Sequence, residues 1–461
     1  MIEKLSLCIL SFCLCIVISK ALCYNETVKY KKIGSAAETA GFPRGKRRER
    51  RDRMKKSIAA VAFGLCLSLA CAACGGTTGG TSVKQDDVKK NFPNYVDPAD
   101  ATYQFGFEEM TTPFYTGNVI YNETTLLIDN EEGSLSGSLQ FTPVKILSIR
   151  DYTLKNEFNV SDFTVEGKKI SVSSDKGVPG LTEANLAGVR MPEGFKKVDQ
   201  IGNVLTDCMQ MGSAVYTESP FYYGKQVYVS YVYDVSEVDL SLYASYATSG
   251  LTKTKNKLLL GDDLKIAATG DSVMEGCSSS KKFNHEPFMD CFMDLTQQAL
   301  QKKYTGKITL SNRAVGGKTS GWGAEDVQTS QLAQDKPDLM YVHFGINDLG
   351  ERRSADSYKQ NIKKIVTDVQ GANPECEFVL IKAFMANPEL YLDTGFEEYW
   401  KALDEIAAEL DNVYVLDLYS QSKKLLEGKK YYDVTGNGIN HVNDFSSRLY
   451  AMNMIAQLVK Y

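Results

Sequence analysis

Four short polar motifs in the second half of the sequence contain residues that could carry out chemistry. They are Gly270-Asp271-Ser272, residues 312–317 (NRAVGG), residues 345–348 (GIND) and residues 438–441 (GINH). A serine hydroxyl is a weak nucleophile at neutral pH, and a histidine within hydrogen-bond distance can accept its proton and later return it. Ser272 and His441 are therefore the candidate nucleophile and general base of an acyl-transfer reaction.

The first three motifs each follow a short apolar segment that reads as a strand. Beyond residue 258, such segments alternate with amphipathic helical stretches, which predicts a parallel sheet with helices on both faces. In sheets of this kind the chemistry lies at the carboxyl ends of the strands. The predicted strands are 264–269, 308–311, 339–344, 378–381 and 413–418, and the predicted helices are 286–304, 355–370, 396–410 and 445–460.

The preceding part of the chain has a different pattern. From about residue 94 to residue 234 it is rich in tyrosine, alternates apolar and polar residues, and has frequent turn residues, which is typical of strands. Residues 163–172 predict a hairpin around Glu166-Gly167-Lys168, and residues 226–234 predict a strand that is apolar on both faces. We expect a jelly-roll-like β-sandwich domain over residues 94–257 and an α/β domain over residues 258–461.

In this order the four motifs resemble those of the SGNH (GDSL-type) hydrolase family, over residues 258–461. The resemblance implies a flavodoxin-like, three-layer domain with a five-stranded parallel sheet. It also implies that Ser272 is the nucleophile, His441 the base, and Gly317 and Asn347 part of an oxyanion hole that includes the Ser272 backbone N–H group. With the preceding β-sandwich, the chain resembles the two-domain carbohydrate acetylesterases.

The sequence departs from the family at one position. The family motif is Asp-x-x-His, but the residue three before His441 is Gly438. The carboxylate that normally orients the imidazole is therefore missing. We expect a Ser-His dyad oriented by Asn437 or a backbone carbonyl, with Asp433 or Asp444 as the alternative.

Other candidates are few. Trp322, shortly after Gly317, is a possible stacking wall for a sugar ring, or a loop residue packed on its own domain. The chain has three histidines and no HExxH spacing, and its CxxC spacing, Cys71 to Cys74, lies in the N-terminal segment, so we expect neither a metal site nor a cofactor. Its formal net charge is −5 and its Lys/Arg excess is confined to about the first 74 residues, which argues against a nucleic-acid partner.

The N-terminal segment predicts export. Residues 54–74 have a basic start, a short apolar stretch and small residues before Cys74, as in a bacterial lipoprotein signal peptide. We expect lipidation at Cys74, with Cys71 as the weaker candidate, a membrane anchor through that lipid, and a flexible linker over residues 75–93. Residues 1–53 are interpreted as an upstream extension before a true start at Met54; the competing interpretation is an N-terminal membrane anchor.

Together these features predict a cell-surface serine esterase that removes acyl groups, with acetyl as the expected group, from an acylated polysaccharide or oligosaccharide. Two other classes stay open: a lipid-directed acylhydrolase or thioesterase with the same residues, and a catalytically inactive glycan-binding surface protein. An acyltransferase that passes the acyl group to a sugar is a variant of the first class.

Overall fold

The computed structural model of the chain describes residues 90–190, 209–211, 214–391 and 393–461. These residues belong to one compact unit, residues 83–461. The predicted extension (1–53), the predicted signal peptide (54–74) with Cys74, and the predicted linker up to residue 89 lie outside the described residues. Within the described part of the chain, no helix combines the length and the apolar character that crossing a membrane requires.

Antiparallel sheets dominate the described residues up to 233, a part that we call the β region. One four-stranded sheet has the order β1-β10-β4-β5, another has the order β2-β3-β7-β6, and β8 pairs with β9. The strands are β1 (Val119–Leu126), β2 (Ile128–Asp129), β3 (Ser134–Ser138), β4 (Pro143–Arg150), β5 (Glu157–Phe158), β6 (Phe163–Glu166), β7 (Lys169–Ser173), β8 (Met209–Met211), β9 (Ala214–Tyr216) and β10 (Gln226–Tyr233); the helices are α1 (Phe107–Thr111) and α2 (Glu183–Leu186).

Two local predictions in this region are confirmed. β6 and β7 form the predicted hairpin, and every residue of β10 is buried, as its apolar pattern on both faces indicated. The antiparallel sheets agree with the predicted all-β class, whereas their packing as a jelly-roll-like sandwich stays a prediction.

The remaining chain forms the α/β region, whose five-stranded parallel sheet is confirmed. Its strand order is β12-β11-β13-β14-β15, the flavodoxin-like order. The strands are β11 (Leu264–Gly270), β12 (Ile308–Asn312), β13 (Leu339–His343), β14 (Glu377–Lys382) and β15 (Val413–Asp417). All described residues of β13 and the first five of β14 are buried, as expected for central strands covered on both faces.

The sheet is flanked by two groups of helices that pack among themselves, α5 with α12, and α7 and α10 with α9. The helices are α3 (Thr252–Leu260), α4 (Ser272–Glu275), α5 (Phe292–Lys303), α6 (Ser320–Gly323), α7 (Asp326–Asp335), α8 (Ile346–Gly350), α9 (Ala355–Ala372), α10 (Asp393–Glu409), α11 (Leu418–Leu426) and α12 (Asp444–Leu458).

Six of these helices were not predicted: the short α4, α6 and α8, and the longer α3, α7 and α11. α3 crosses the predicted boundary between the two domains, at residues 257 and 258. α7 buries only Thr329 and Leu332, so its apolar stripe is too narrow to be recognised in the sequence. α11 begins directly after β15, with Asp417 as its N-cap, and so leaves no loop signal.

The register of the parallel sheet places the motifs at one edge. Gly270 at the end of β11 pairs with His343 at the end of β13, and Ala268 pairs with Asn312 at the end of β12. The segments that follow these strands therefore start side by side. Ser272, Gly317 and Asn347 all lie in these segments.

Candidate active site

Ser272 is the first residue of the short helix α4, directly after β11. Asp271 is the N-cap residue of that helix, and its side chain accepts a hydrogen bond from the Val273 N–H group at 3.0 Å. The sharp change from strand to helix places the serine side chain at the edge of the sheet. Ser272 is 8% exposed there. As a first-turn residue, Ser272 has a backbone N–H group without a partner inside the helix.

His441 approaches Ser272 from the loop that precedes α12. Its Nε2 atom lies 2.8 Å from Ser272 Oγ, within hydrogen-bond distance. The backbone of this loop is fixed on both sides of the ring: the His441 N–H group donates to Asn437 Oδ1 at 3.0 Å, and its carbonyl accepts from Thr435 Oγ1 at 2.8 Å. This geometry allows the imidazole to remove the hydroxyl proton during a nucleophilic attack.

The other ring nitrogen of His441 faces two oxygen atoms. Nδ1 lies 3.1 Å from Ser278 Oγ and 3.3 Å from Glu218 Oε1. If Nε2 is to accept the serine proton, Nδ1 must carry the ring hydrogen, and both oxygens can then accept from it. Neither residue was predicted from the sequence.

Glu218 comes from the β region, two residues after β9. Its Oε1 atom accepts hydrogen bonds from the Tyr216 hydroxyl at 2.8 Å and from Asn437 Nδ2 at 3.2 Å. Burial alone would raise the pKa of Glu218, but the hydrogen bond and charge of His441, with the hydrogen bonds from Tyr216 and Asn437, hold it below its usual value. The carboxylate is therefore ionised at neutral pH.

The predicted orienting residues make other contacts. Asp433 accepts from the Leu126 N–H group at 2.7 Å and lies 3.9 Å from Lys429 Nζ. Asp444 accepts from the Ser280 N–H group at 2.9 Å and from the Tyr223 hydroxyl at 3.1 Å. The hydrogen bonds of both carboxylates thus run to buried partners, and neither carboxylate lies at Nδ1.

Asn437 also differs from the expected arrangement, because it acts on the loop and not on the ring. Its Oδ1 atom accepts the backbone N–H groups of residues 439, 440 and 441, at 2.9, 3.0 and 3.0 Å. Its amide nitrogen donates to Glu218 and Asn440. Asn437 therefore shapes the loop around His441 and links it to Glu218.

The predicted oxyanion-hole residues Gly317 and Asn347 lie in the segments that follow β12 and β13, the strands on either side of β11. Gly317 is exposed and has a positive φ of 74°, a conformation that favours glycine. The neighbouring Gly316 lies so close to Ser272 that a Cβ added to it would be 3.6 Å from Ser272 Cβ. Asn347 Nδ2 donates one hydrogen to the Lys318 carbonyl at 2.9 Å, which fixes the amide and leaves its second hydrogen for another acceptor.

Several neighbouring polar residues have structural contacts. His343 is fully buried between Asp271 and Tyr450, with ring nitrogens 3.2 Å from each, as expected for a core histidine. Asp348 accepts from both the N–H group and the hydroxyl of Ser320. These bonds tie the loops of the sheet edge together.

Trp322 and Cys277 also lie near this edge. Trp322 is half-buried against the hydrophobic core, and Lys318 Nζ lies 5.8 Å from the centre of its ring. Its role as a sugar-stacking wall stays a prediction. Burial raises the pKa of the Cys277 thiol to about 12, which makes it unreactive at neutral pH. In the described residues, no group of three or more His, Cys, Asp or Glu side chains has an arrangement that would bind a metal ion.

Comparison with known proteins gives a family match and distantly similar solved structures. Residues 268–445 match the GDSL-like Lipase/Acylhydrolase family. Among solved structures, a catalytic mutant of an acetylxylan esterase from Geobacillus stearothermophilus is 17% identical, with 44% of this chain and 96% of that chain covered and a TM-score of 0.36. A carbohydrate esterase family 3 structure from Talaromyces cellulolyticus is 15% identical, with 42% and 94% covered and a TM-score of 0.33. No curated protein sequence matches the chain.

Proposed function

We propose that this chain, an ester hydrolase whose residues 268–445 form a GDSL-like lipase/acylhydrolase domain, removes acyl groups, acetyl in particular, from carbohydrate. The observation that carries the chemistry is the 2.8 Å distance between Ser272 Oγ and His441 Nε2. Ser272 acts as the nucleophile and His441 as the general base, without a metal ion or cofactor.

The reaction has two steps. In the first, Ser272 Oγ attacks the ester carbonyl carbon while its proton passes to His441 Nε2, and the sugar alcohol leaves with that proton. In the second, His441 takes a proton from water, the resulting hydroxide attacks the acyl-Ser272 ester, and the proton returns to Ser272 as the carboxylic acid leaves.

Negative charge on the carbonyl oxygen is stabilised in both steps. The donors are the backbone N–H groups of Ser272 and Gly317 and the second amide hydrogen of Asn347. One such donor typically contributes about 3–4 kcal/mol to transition-state stabilisation. Asn347 is the side-chain donor among the three, and the Lys318 carbonyl fixes its amide.

The carbohydrate part of the proposal has separate support. The sequence of residues 54–74 predicts export as a lipoprotein, so that the enzyme would meet polysaccharide at the bacterial cell surface. Trp322 presents a half-buried ring two residues beyond the buried Ser320, near the Asn347 loop. A partly exposed indole ring in this position can stack on the apolar face of a sugar.

The experiment is a hydrolysis assay with purified protein. We expect faster turnover of a nitrophenyl acetate than of a nitrophenyl palmitate, and release of acetate from acetylated xylan. A preference for the long chain would favour a lipid-directed acylhydrolase instead. A fluorophosphonate probe should label the wild type and not Ser272→Ala, whereas absence of labelling in the wild type would indicate an inactive binding protein.

A further inference from the structure

We propose that Glu218 of the β region is the carboxylate that orients His441, so that the Ser-His pair of the α/β region is completed to a triad from outside that region. This inference rests on the proposed function, since it assigns a positioning residue to that reaction. The sequence predicted a Ser-His dyad oriented by Asn437 or a backbone carbonyl, whereas Glu218 is a carboxylate and lies in the β region.

The first support is the position of the carboxylate. Glu218 Oε1 lies 3.3 Å from His441 Nδ1, on the side of the ring opposite to Ser272. The same oxygen receives hydrogen bonds from Tyr216 and Asn437, which fix its place. A fixed, ionised carboxylate at Nδ1 selects the correct tautomer and stabilises the imidazolium that forms during attack.

The second support is the position that lacks the family carboxylate. Gly438 has a φ of 84°, and a Cβ added there would lie 2.2 Å from the Val215 carbonyl oxygen and 2.8 Å from both Cε2 and the hydroxyl oxygen of Tyr222. The Thr217 N–H group donates to the Asn437 carbonyl at 3.2 Å, directly beside this contact. An aspartate at 438 is thus excluded by the same segment that carries Glu218.

Residues 215–218 therefore replace one carboxylate with another. The Val215 carbonyl of this segment occupies the space that a side chain at 438 would need, and Glu218, three residues later, lies at His441. The absence of a side chain at 438 and the presence of Glu218 at the ring thus involve the same contact between the regions.

Ser278 is the competing partner of the ring. Its hydroxyl lies 3.1 Å from Nδ1, and its backbone has a positive φ of 66°, unusual for a serine. A neutral hydroxyl can accept the ring hydrogen and help to orient it, but it adds no negative charge to stabilise an imidazolium. We assign orientation to both residues and charge stabilisation to Glu218.

One other charged group is close enough to influence His441. The carboxylate of Glu275 interacts electrostatically with the ring, but it also accepts the Gly316 N–H group at 2.6 Å and pairs with Lys282 at 2.6 Å. Lys282 largely offsets the charge of Glu275. The charged partner of Glu218, among the described residues, is His441 itself.

The test compares Glu218→Gln with Ser278→Ala and with Glu132→Gln, a matched change of an exposed carboxylate in the β region. The readouts are kcat and KM for an acetyl ester, and the thermal unfolding midpoint. We expect Glu218→Gln to lower kcat by about 10²- to 10⁴-fold with little change in KM. Glu218→Asp, which keeps the negative charge, should recover part of that loss.

Ser278→Ala should lower kcat less, and Glu132→Gln should match the wild type. The proposal is overturned if Glu218→Gln retains kcat within about threefold, or if a folded Glu218→Asp is no more active than Glu218→Gln. If Glu218→Gln does not fold, Glu218→Asp, which keeps the charge, must be folded and partly active for the proposal to stand. The proposed function fails separately, if Ser272→Ala retains turnover.

Discussion

The two walls of the active site, one carrying Ser272 and the other His441, are built in different ways. The Ser272 wall is held by the α/β region itself. Asp271 N–H donates to the His343 carbonyl at 3.2 Å, and Asn312 Nδ2 donates to the Met274 carbonyl at 2.8 Å. His343 is the last residue of β13 and Asn312 is the last residue of β12, the two strands next to β11.

The His441 wall depends on the β region as well. The Gln226 side chain donates to the Thr435 carbonyl at 3.0 Å, and Asn443 Nδ2 lies 3.0 Å from Thr124 Oγ1. Glu218 completes this set at the ring itself. Ser272 is thus positioned by the sheet that carries it, whereas His441 also needs contacts from the β region.

A buried charge cluster fixes the β region below the His441 wall. Lys429 Nζ lies 2.7 Å from Glu123 of β1 and 3.9 Å from Asp433, with the three side chains at most 2% exposed. The Glu123 carboxylate also accepts from the Tyr231 hydroxyl at 2.5 Å. Such a cluster is sensitive to the loss of any member, because an unpaired charge would remain buried.

The first prediction removes the reactive side chain from each wall and leaves the fold intact. Ser272→Ala and His441→Ala should each lower kcat by at least about 10⁴-fold, because nucleophile and base act as a unit. Their thermal unfolding midpoints should stay near that of the wild type. Ester hydrolysis and circular dichroism measure the two effects, with the exposed Ser161→Ala as control. More than about a hundredth of wild-type turnover in either variant would contradict the assignment.

The second prediction concerns the buried charge cluster, which supports the His441 wall and not the Ser272 wall. Lys429→Met should lower the free energy of unfolding by about 3–5 kcal/mol, because it leaves Glu123 and Asp433 buried without their cation. Urea unfolding measures this loss. The neighbouring Lys430→Met, whose lysine is 48% exposed and pairs with Glu183, should cost about 1 kcal/mol or less. Equal losses in both variants would mean that the buried cluster does not hold the two regions together.

The third prediction tests the contact that brings Glu218 to the ring. Gly438→Ala should lower the free energy of unfolding by about 2–4 kcal/mol, from the clash with Val215 and the positive φ together. It should also lower kcat by displacing the segment that carries Glu218. Gly428→Ala is the matched control, because a Cβ there meets no atom within 4 Å and φ lies outside the positive range. The interpretation fails if the two variants unfold at the same urea concentration.

The difference between the walls also explains what the sequence could predict. The Ser272 wall follows from local patterns, because a strand, a glycine and a helix cap are adjacent in the chain. The parallel sheet could therefore be anticipated from the pattern, together with the region where the motifs meet, whereas its flavodoxin-like strand order was expected from the resemblance to the SGNH family. The absence of an aspartate at 438 indicated that something was missing near His441, but not what replaced it.

Glu218 has no local signal of this kind. It lies in an ordinary polar turn after β9, and its role depends on how the β region packs against the loop around Asn437. Asp433 and Asp444 were closer to His441 in sequence, but burial directs them to other partners. Contacts between distant segments depend on packing, which residue spacing alone does not encode.

The last and smallest prediction concerns Asp444, which connects the two walls. Its carboxylate binds Ser280, on the segment that follows Ser272, and Tyr223 of the β region. Burial raises the pKa of Asp444 to about 6, although the hydrogen bonds from Ser280 and Tyr223 and the nearby Arg448 partly oppose that rise. The folded state therefore holds this proton more tightly than the unfolded state.

The sign of the pH effect follows from this difference. The stabilising contribution of protonated Asp444 is complete below about pH 4 and is lost as the pH rises through about 6, a change of at most about 3 kcal/mol. Asp444→Asn removes the titration and keeps an acceptor for Ser280. We expect the stability of the wild type relative to Asp444→Asn to fall between pH 4 and 6 and then to level off, in urea unfolding at pH 4, 5, 6 and 7. A difference that stays constant with pH would show that Asp444 connects the walls as a permanently charged group, and that its carboxylate is better solvated than its burial implies.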